Sequence, residues 1–324
     1  MRSHELKALL YGVMNIATAS GIVFANKAVF QVFGFRFTSA LTWIHTIFTL
    51  VGMRLFCKMG MFEHKEIPKL KLVPLAAAYV GYIVLCNLNL NINTVGFYQV
   101  SKIAVAPAVL GIEASFFGKR ASRRVTLSVV VVCLGVGLAT VTDTQVGASA
   151  MGLLIGLGAV ISTSMYQIFA GTSQKELQAG SMQLLHEYTP LAAVMLGLLI
   201  PVLEPMGWSK GGPDTLLGYE YRLSALVAII LSAVLGLLVS LSTFLVIGAT
   251  SSLTYNIVGH LKTVIILTGG CMFFGDEMPT KKFIGILVSL GGMMWYSQIR
   301  LQETTRAKQD AETLPISSEK AIKT

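Results

Sequence analysis

The sequence predicts an all-α polytopic membrane protein, and three observations predict it. Of the 324 residues 54% are hydrophobic and only 13% charged, whereas a soluble domain carries about a quarter charged residues. Apolar stretches approaching the roughly 20 residues needed to cross a 30 Å hydrocarbon core recur along the whole chain. A segment of the first half also reappears, in order, 157 residues later. The chain therefore reads as one membrane unit built from two similar halves.

Ten spans are expected. The first, 8–31, follows MRSHELK and has no small-residue cleavage site, so it is expected to be retained rather than removed as a signal peptide. The others fall at 38–57, 73–92, 95–117, 125–141, 150–171, 182–203, 223–247, 253–274 and 282–299. Asn91–Thr94 barely separates the third from the fourth, and the fifth is short. Two five-helix repeats, 1–145 and 146–302, are then followed by a polar tail, 303–324, that reads as disordered. With the N-terminus in the cytosol, sixteen lysines and arginines fall on the cytosolic side and five on the other. That bias puts both termini in the cytosol.

The net charge of +9 does not indicate nucleic acid, because no basic run with interleaved aromatics occupies a soluble stretch. Cys57, Cys86, Cys133 and Cys271 are scattered in or beside apolar segments without metal-ligand spacing. No nucleophile–base pair, P-loop or GxGxxG after a strand occurs, so neither an enzyme nor a cofactor or metal is expected.

The repeat pairs FYQVSKIAVAPAVLGIEASFFG, from Phe97, with TYNIVGHLKTVIILTGGCMFFG, from Thr254. An aromatic–amide pair, a lysine, Phe-Phe-Gly, a basic loop and a Gly-rich helix follow in the same order. Five spans per half would invert one half relative to the other, an architecture of transporters that bind substrate at the midplane. In this register Lys102 matches Gly259, so Lys102 and Lys262 sit about one helical turn (~4.5 Å) apart in depth.

A lysine at the centre of an apolar helix costs about 2.5–3.5 kcal/mol on insertion scales. Lys102 and Lys262 lie well inside their spans and read as an anion site suited to an extended, diphosphate-like ligand. Lys27, beside Asn26 near a span end, can equally snorkel to the interface. Glu187 is the one clearly intramembrane carboxylate. Tyr98-Gln99 and Tyr255-Asn256 pair an aromatic face with an amide, which suits sugar hydroxyls or a base edge as well as interhelical bonding. Of Asn87, Asn89, Asn91 and Asn93, Asn87 is expected to face inward and others to cap helix ends. His186-Glu187-Tyr188 reads as a base reader, a proton carrier or an internal pair.

These residues, with TVGFYQVSKIAVAPAV, FANKAVFQVFGF, GVGLATVTD, MFEHK and LSTFLVIGATSSLTYNIVGHLKT, resemble the nucleotide-sugar/triose-phosphate transporters (solute carrier family 35, drug/metabolite superfamily). Within that family they are most similar to the plant-type UDP-xylose and UDP-rhamnose/UDP-galactose branch, in collinear order from about Gly21 to Gln298. The resemblance implies an antiporter that exchanges a nucleotide sugar for the matching nucleoside monophosphate across a Golgi membrane. It implies family lysines at Lys102 and Lys262, substrate around Tyr255, Gly259, Lys262 and Thr263, and base recognition near His186–Thr189. Partners are then a UDP-sugar, UMP and the bilayer, and homodimer formation is compatible with it. Thr263 stands where the phosphate-translocator branch is expected to carry an arginine, which weakens the rival reading, an organophosphate translocator of the triose-phosphate type. The sugar itself is not readable from any residue.

Overall fold

The computed structural model describes residues 3–93, 95–140, 149–208, 212–274 and 279–313. The side chains of Lys27 and Gln99, and those of α9 beyond Ile265, lie outside the described residues. The chain forms helices α1 (Ser3–Gln31), α2 (Thr38–Lys58), α3 (Lys69–Ile92), α4 (Val95–Phe116), α5 (Arg123–Thr140), α6 (Ala150–Glu176), α7 (Ser181–Leu203), α8 (Leu223–Ala249), α9 (Ser252–Phe274) and α10 (Thr280–Thr313). There is no strand among the described residues. Among the described residues, six helices (α1, α2, α3, α6, α7 and α8) are long and apolar enough to cross a membrane. All-helical backbone is what a bilayer demands, since every N–H and C=O must be satisfied internally there.

Helix ends follow local chemistry. Ser149 caps α6 by accepting from Gly152 N at 3.0 Å. Gln183 folds back to accept from Gly180 N at 2.8 Å at the start of α7. Asn93 ends α3, donating to Asn89 and to the Gly152 carbonyl, so the capping expected of the asparagine series is observed. α7 runs unbroken through Pro190, in keeping with the single span expected at 182–203. One expectation shifts: α10 extends to Thr313, eleven residues into the segment read as a disordered tail. The run Gln302–Thr313 contains neither glycine nor proline, so nothing breaks the helix where hydrophobicity stops.

Loops alternate between the two ends of the bundle. At one end the α2–α3 and α6–α7 links meet, with Lys65 donating to the Gln178 carbonyl and Gln183 to the Glu63 carbonyl. At the other, Phe35, Phe37 and Tyr219 pack edge to face and Tyr219 donates to the Phe33 carbonyl. The first is called the basic end below, because Lys65, Lys69, Lys119, Arg120 and Lys175 gather there.

Helices pair as α1 on α8, α3 on α6, α2 on both α7 and α8, α3 on α7, and α5 on α10. Exchanging helix n with n+5 maps this set of pairings onto itself. The α5–α10 seam repeats the exchange at residue level. A Cβ on Gly135 would collide with the Ser289 backbone, and one on Gly292 would lie 2.9 Å from Val132 N. Gly135 and Gly292 are 157 residues apart, as are Val132 and Ser289. Small residues matter in such seams because packing, rather than water exclusion, holds helices together in lipid. The exchange is incomplete among the weaker pairings: α6 touches α7, α8 and α9, and α5 touches α9, but the corresponding α1–α2, α1–α3, α1–α4 and α4–α10 pairs do not touch among the described residues.

One core joins α2, α3, α6, α7 and α8 around Met53, Leu75, Leu184, Leu196 and Phe244. A second joins α4, α5, α9 and α10 around Val129, Ile257, Met293 and Tyr296. The candidate site lies where α4 and α9 come together between them.

Candidate functional site

α4 presents Lys102 one turn beyond Tyr98, which brings the ammonium over that ring at 4.5 Å from its centroid, a cation–π distance. The Lys102 side chain is exposed while Ser101 beside it is buried. Ser101 takes a 2.7 Å bond from Asn89 of α3, which fixes the register of α4 against α3. Five residues on, Pro107 removes the N–H that would have bonded the Ile103 carbonyl, and the Cys133 thiol donates to that carbonyl at 3.7 Å.

α9 brings Lys262, half-buried, close enough to Lys102 for the two charges to interact, and Lys102 is likewise within electrostatic reach of Cys86 on α3. Neither lysine has a carboxylate partner among the described residues. Nothing lies within 4 Å of where a Cβ on Gly259 would be, so there is open space one turn from Lys262. Thr263 turns its hydroxyl back to the Gly259 carbonyl at 3.2 Å. The Asn87 Nδ2 is buried and meets no acceptor among the described residues. An unmet buried donor costs about 1–3 kcal/mol, so this amide has capacity for a ligand or water.

Behind the lysines stands an aromatic wall that sequence reading missed. Tyr82 and Tyr166 stack at 5.6 Å with their planes 2° apart, Tyr79 sits 5.4 Å from Tyr166, and Tyr188 stacks on Phe244 at 5.3 Å. Tyr255 joins it and accepts from Thr243 at 3.4 Å. Tyr79 and Tyr82 lie three residues apart on α3, the spacing that puts both on one helix face, which was a legible signal.

Several expected site residues are employed elsewhere. Asn256 donates to Gln167 Oε1 and to the Ser252 carbonyl, which ties α9 to α6. Asn26 accepts from Ser232 at 2.6 Å, and Ser232 also meets His45 at 2.8 Å, a polar chain linking α1, α8 and α2. Glu187, expected inside the membrane, falls within the apolar segment of α7 that is long enough to cross one. It lies six residues into α7 from the basic end and binds Lys69 at 2.8 Å, His186 at 2.9 Å and His64 at 3.0 Å. Both oxygens are thus occupied by protein donors, and of the readings open for His186 and Glu187 this geometry matches the internal pair. Tyr188 is 3% exposed within the core.

A bundle of apolar helices carrying two lysines without carboxylate partners among the described residues, beside an aromatic wall, is consistent with a polytopic membrane protein. The chain belongs to the Triose-phosphate Transporter family, whose profile matches residues 6–297. It is 35% identical over 300 residues to UDP-xylose transporter 2 of Arabidopsis thaliana, covering 93% of this chain and 83% of that one. It is also 35% identical over 299 residues to UDP-rhamnose/UDP-galactose transporter 2 of the same plant, covering 91% and 84%. A solved crystal structure shares the fold with a TM-score of 0.69 over 90% of this chain and 98% of that one, at 13% identity.

Proposed function

We propose that the chain is a nucleotide-sugar antiporter that exchanges a UDP-sugar for UMP across a Golgi membrane, with ten spanning helices arranged as two inverted repeats and both termini cytosolic. The observation that carries the reading is the facing of Lys102 and Lys262 from α4 and α9, within mutual electrostatic reach and without a carboxylate. Like charges brought together in an apolar bundle repel, and a diphosphate between them turns that repulsion into attraction. The names of the relatives supply the ligand class, UDP-sugars. The reciprocal α5–α10 contacts support the inverted repeat.

On this reading Lys102 and Lys262 hold the phosphates. Tyr98, Tyr255, Gly259, Thr263 and Asn87 surround the ribose and sugar, and the Tyr82–Tyr166 wall receives the uracil. Alternating access needs the two ends to close in turn. The α6–α9 tie at the basic end, without an α1–α4 counterpart among the described residues, corresponds to a state closed toward the cytosol and open toward the lumen. Proteoliposomes preloaded with UMP are expected to take up one or more labelled UDP-sugars and not GDP- or CMP-sugars. Uptake of triose phosphate alone, or uptake indifferent to the preload, would refute the exchange.

A further inference from the structure

We propose a second anion site, at the basic end, for a phosphate dianion or the terminal phosphate of a phosphomonoester. The ends of α4, α6, α8 and α10 and the start of α9 enclose a cavity of about 190 Å³ there. That is well below the ~300–1,000 Å³ of a drug-sized site. It has room for a phosphate group and its waters rather than for a whole nucleotide sugar.

Four cations converge on the cavity from three segments: Lys119 and Arg120 from the α4–α5 link, Lys175 from α6 and Arg300 from α10. Lys119, Lys175 and Arg300 all act electrostatically on one carboxylate, Glu113. Lys119 also donates to Thr172 at 3.3 Å and lies over the Phe117 ring at 5.5 Å, and Arg300 donates to Glu303 at 3.2 Å. Glu113 and Glu303 therefore offset two of the four positive charges, and an excess of two remains. A phosphate group carries about −1.5 to −2 at neutral pH, which matches that excess. Thr250 and Ser252 already donate their hydroxyls to the Val246 and Gln167 carbonyls and Ser251 caps Thr254 N, so recognition at this wall rests on the four cations.

A basic loop at one membrane face is ordinarily only a mark of topology. Here the cations instead face one another around a hollow floored by Leu110, Ile168 and Ile247. The site is also separate from the lysine pair. Leu253, in its wall, precedes Lys262 by nine residues of α9, about 13 Å along the helix axis. The Ser252–Gln167 and Asn256–Gln167 bonds lie between them. Because α4, α6, α9 and α10 all contribute, an anion in the cavity would hold this end of the bundle shut, by preferring the state in which they converge.

The proposal does not rest on the transport reading and is tested without transport. Full-length Lys102→Gln/Lys262→Gln protein, with the central pair removed, is titrated with inorganic phosphate while binding heat and thermal midpoint are followed. Saturable binding is expected to persist there, and to weaken at least tenfold on adding Lys119→Gln/Lys175→Gln. Arg124→Gln, which removes a neighbouring charge outside the cavity, should leave it unchanged. Binding that vanishes with the central lysines, or that falls equally with Arg124→Gln, overturns the proposal. Repeating the titration in nanodiscs of phosphatidylcholine with and without a phosphoinositide distinguishes the source. Competition by the phosphoinositide assigns the site to a lipid headgroup, and undiminished phosphate binding assigns it to a soluble phosphate.

Discussion

α4 and α9 occupy matching places in the two halves, and each carries an aromatic–amide pair, a lysine and an apolar continuation. They are held very differently. α9 is pinned by polar side chains on three neighbours: Gln167 of α6 meets Ser252 and Asn256, Thr243 of α8 meets Tyr255, and Tyr296 of α10 meets Thr254 at 2.9 Å. α4 lies on α6 mainly through Val105 and Val109, takes one hydrogen bond each from Asn89 of α3 and Cys133 of α5, and leaves Lys102 exposed on its own tyrosine. The difference teaches that the two lysines are not interchangeable. Lys262 sits half-buried on a helix tied to three neighbours, and Lys102 lies exposed on a helix held mostly by apolar packing.

The largest expected effects come from removing either charge. Lys262→Gln and Lys102→Gln should each lower UDP-sugar exchange at least a hundredfold in proteoliposomes, with the thermal midpoint kept or raised because the repulsion between the two charges is relieved. Arginine separates the two positions. At 102, with open space around it, arginine should restore part of the exchange. At 262, on the pinned helix, it should not. Equal rescue at both would mean that the comparison of the two helices has no functional content.

Next in size is the seam that both halves share. Gly135→Val would drive a side chain into the Ser289 backbone, and Gly292→Val would drive one into Val132. Both substitutions should lower the yield of folded protein sharply, whereas Gly137→Ala, with nothing within 4 Å of its Cβ, should not. The α6–α9 tie should weigh less. Interhelical hydrogen bonds in membranes average about 0.6 kcal/mol. Asn256→Ala is therefore expected to shift exchange only severalfold, and Gln167→Ala to add little once Asn256 is gone. Additive losses from the two would show that they act separately.

Much of this was legible in the sequence because the signals are local and periodic. Apolar length gave the helices, and the rarity of lysine in such helices marked Lys102 and Lys262. The 157-residue echo pointed to the seam at Gly135 and Gly292. What stayed open needed knowledge of who meets whom across space. The partners of Glu187, Lys69 and His64, come from more than a hundred residues away. Asn256 suited a ligand or an interhelical bond equally in the sequence, and Gln167 is found beside it. The Tyr79, Tyr82 and Tyr166 wall was visible as residue types, yet tyrosines in apolar helices are too common for composition alone to assemble them. The basic cavity is assembled from three segments, none of which is unusual alone.

The most direct probe of the lysine pair is chemical labelling. Cys86 is half-buried on α3, touches the Thr163 hydroxyl at 3.6 Å and lies within electrostatic reach of Lys102. A thiol within reach of Lys102, which has no carboxylate partner among the described residues, attracts a negatively charged reagent and repels a positive one. An anionic methanethiosulfonate should therefore label Cys86 faster than its cationic analogue of similar size, by about tenfold, and saturating UMP should slow the anionic reaction by occupying the same positive field. Cys57 and Cys133 also react with such reagents, so the relevant signal is the fraction lost in Cys86→Ala. Lys102→Gln should remove most of the anion preference and Lys262→Gln less of it, since only the former residue is within reach of the thiol. Labelling that is indifferent to reagent charge and to UMP would place Cys86 outside the ligand path, and with it the wall of α3 that bears Tyr79 and Tyr82.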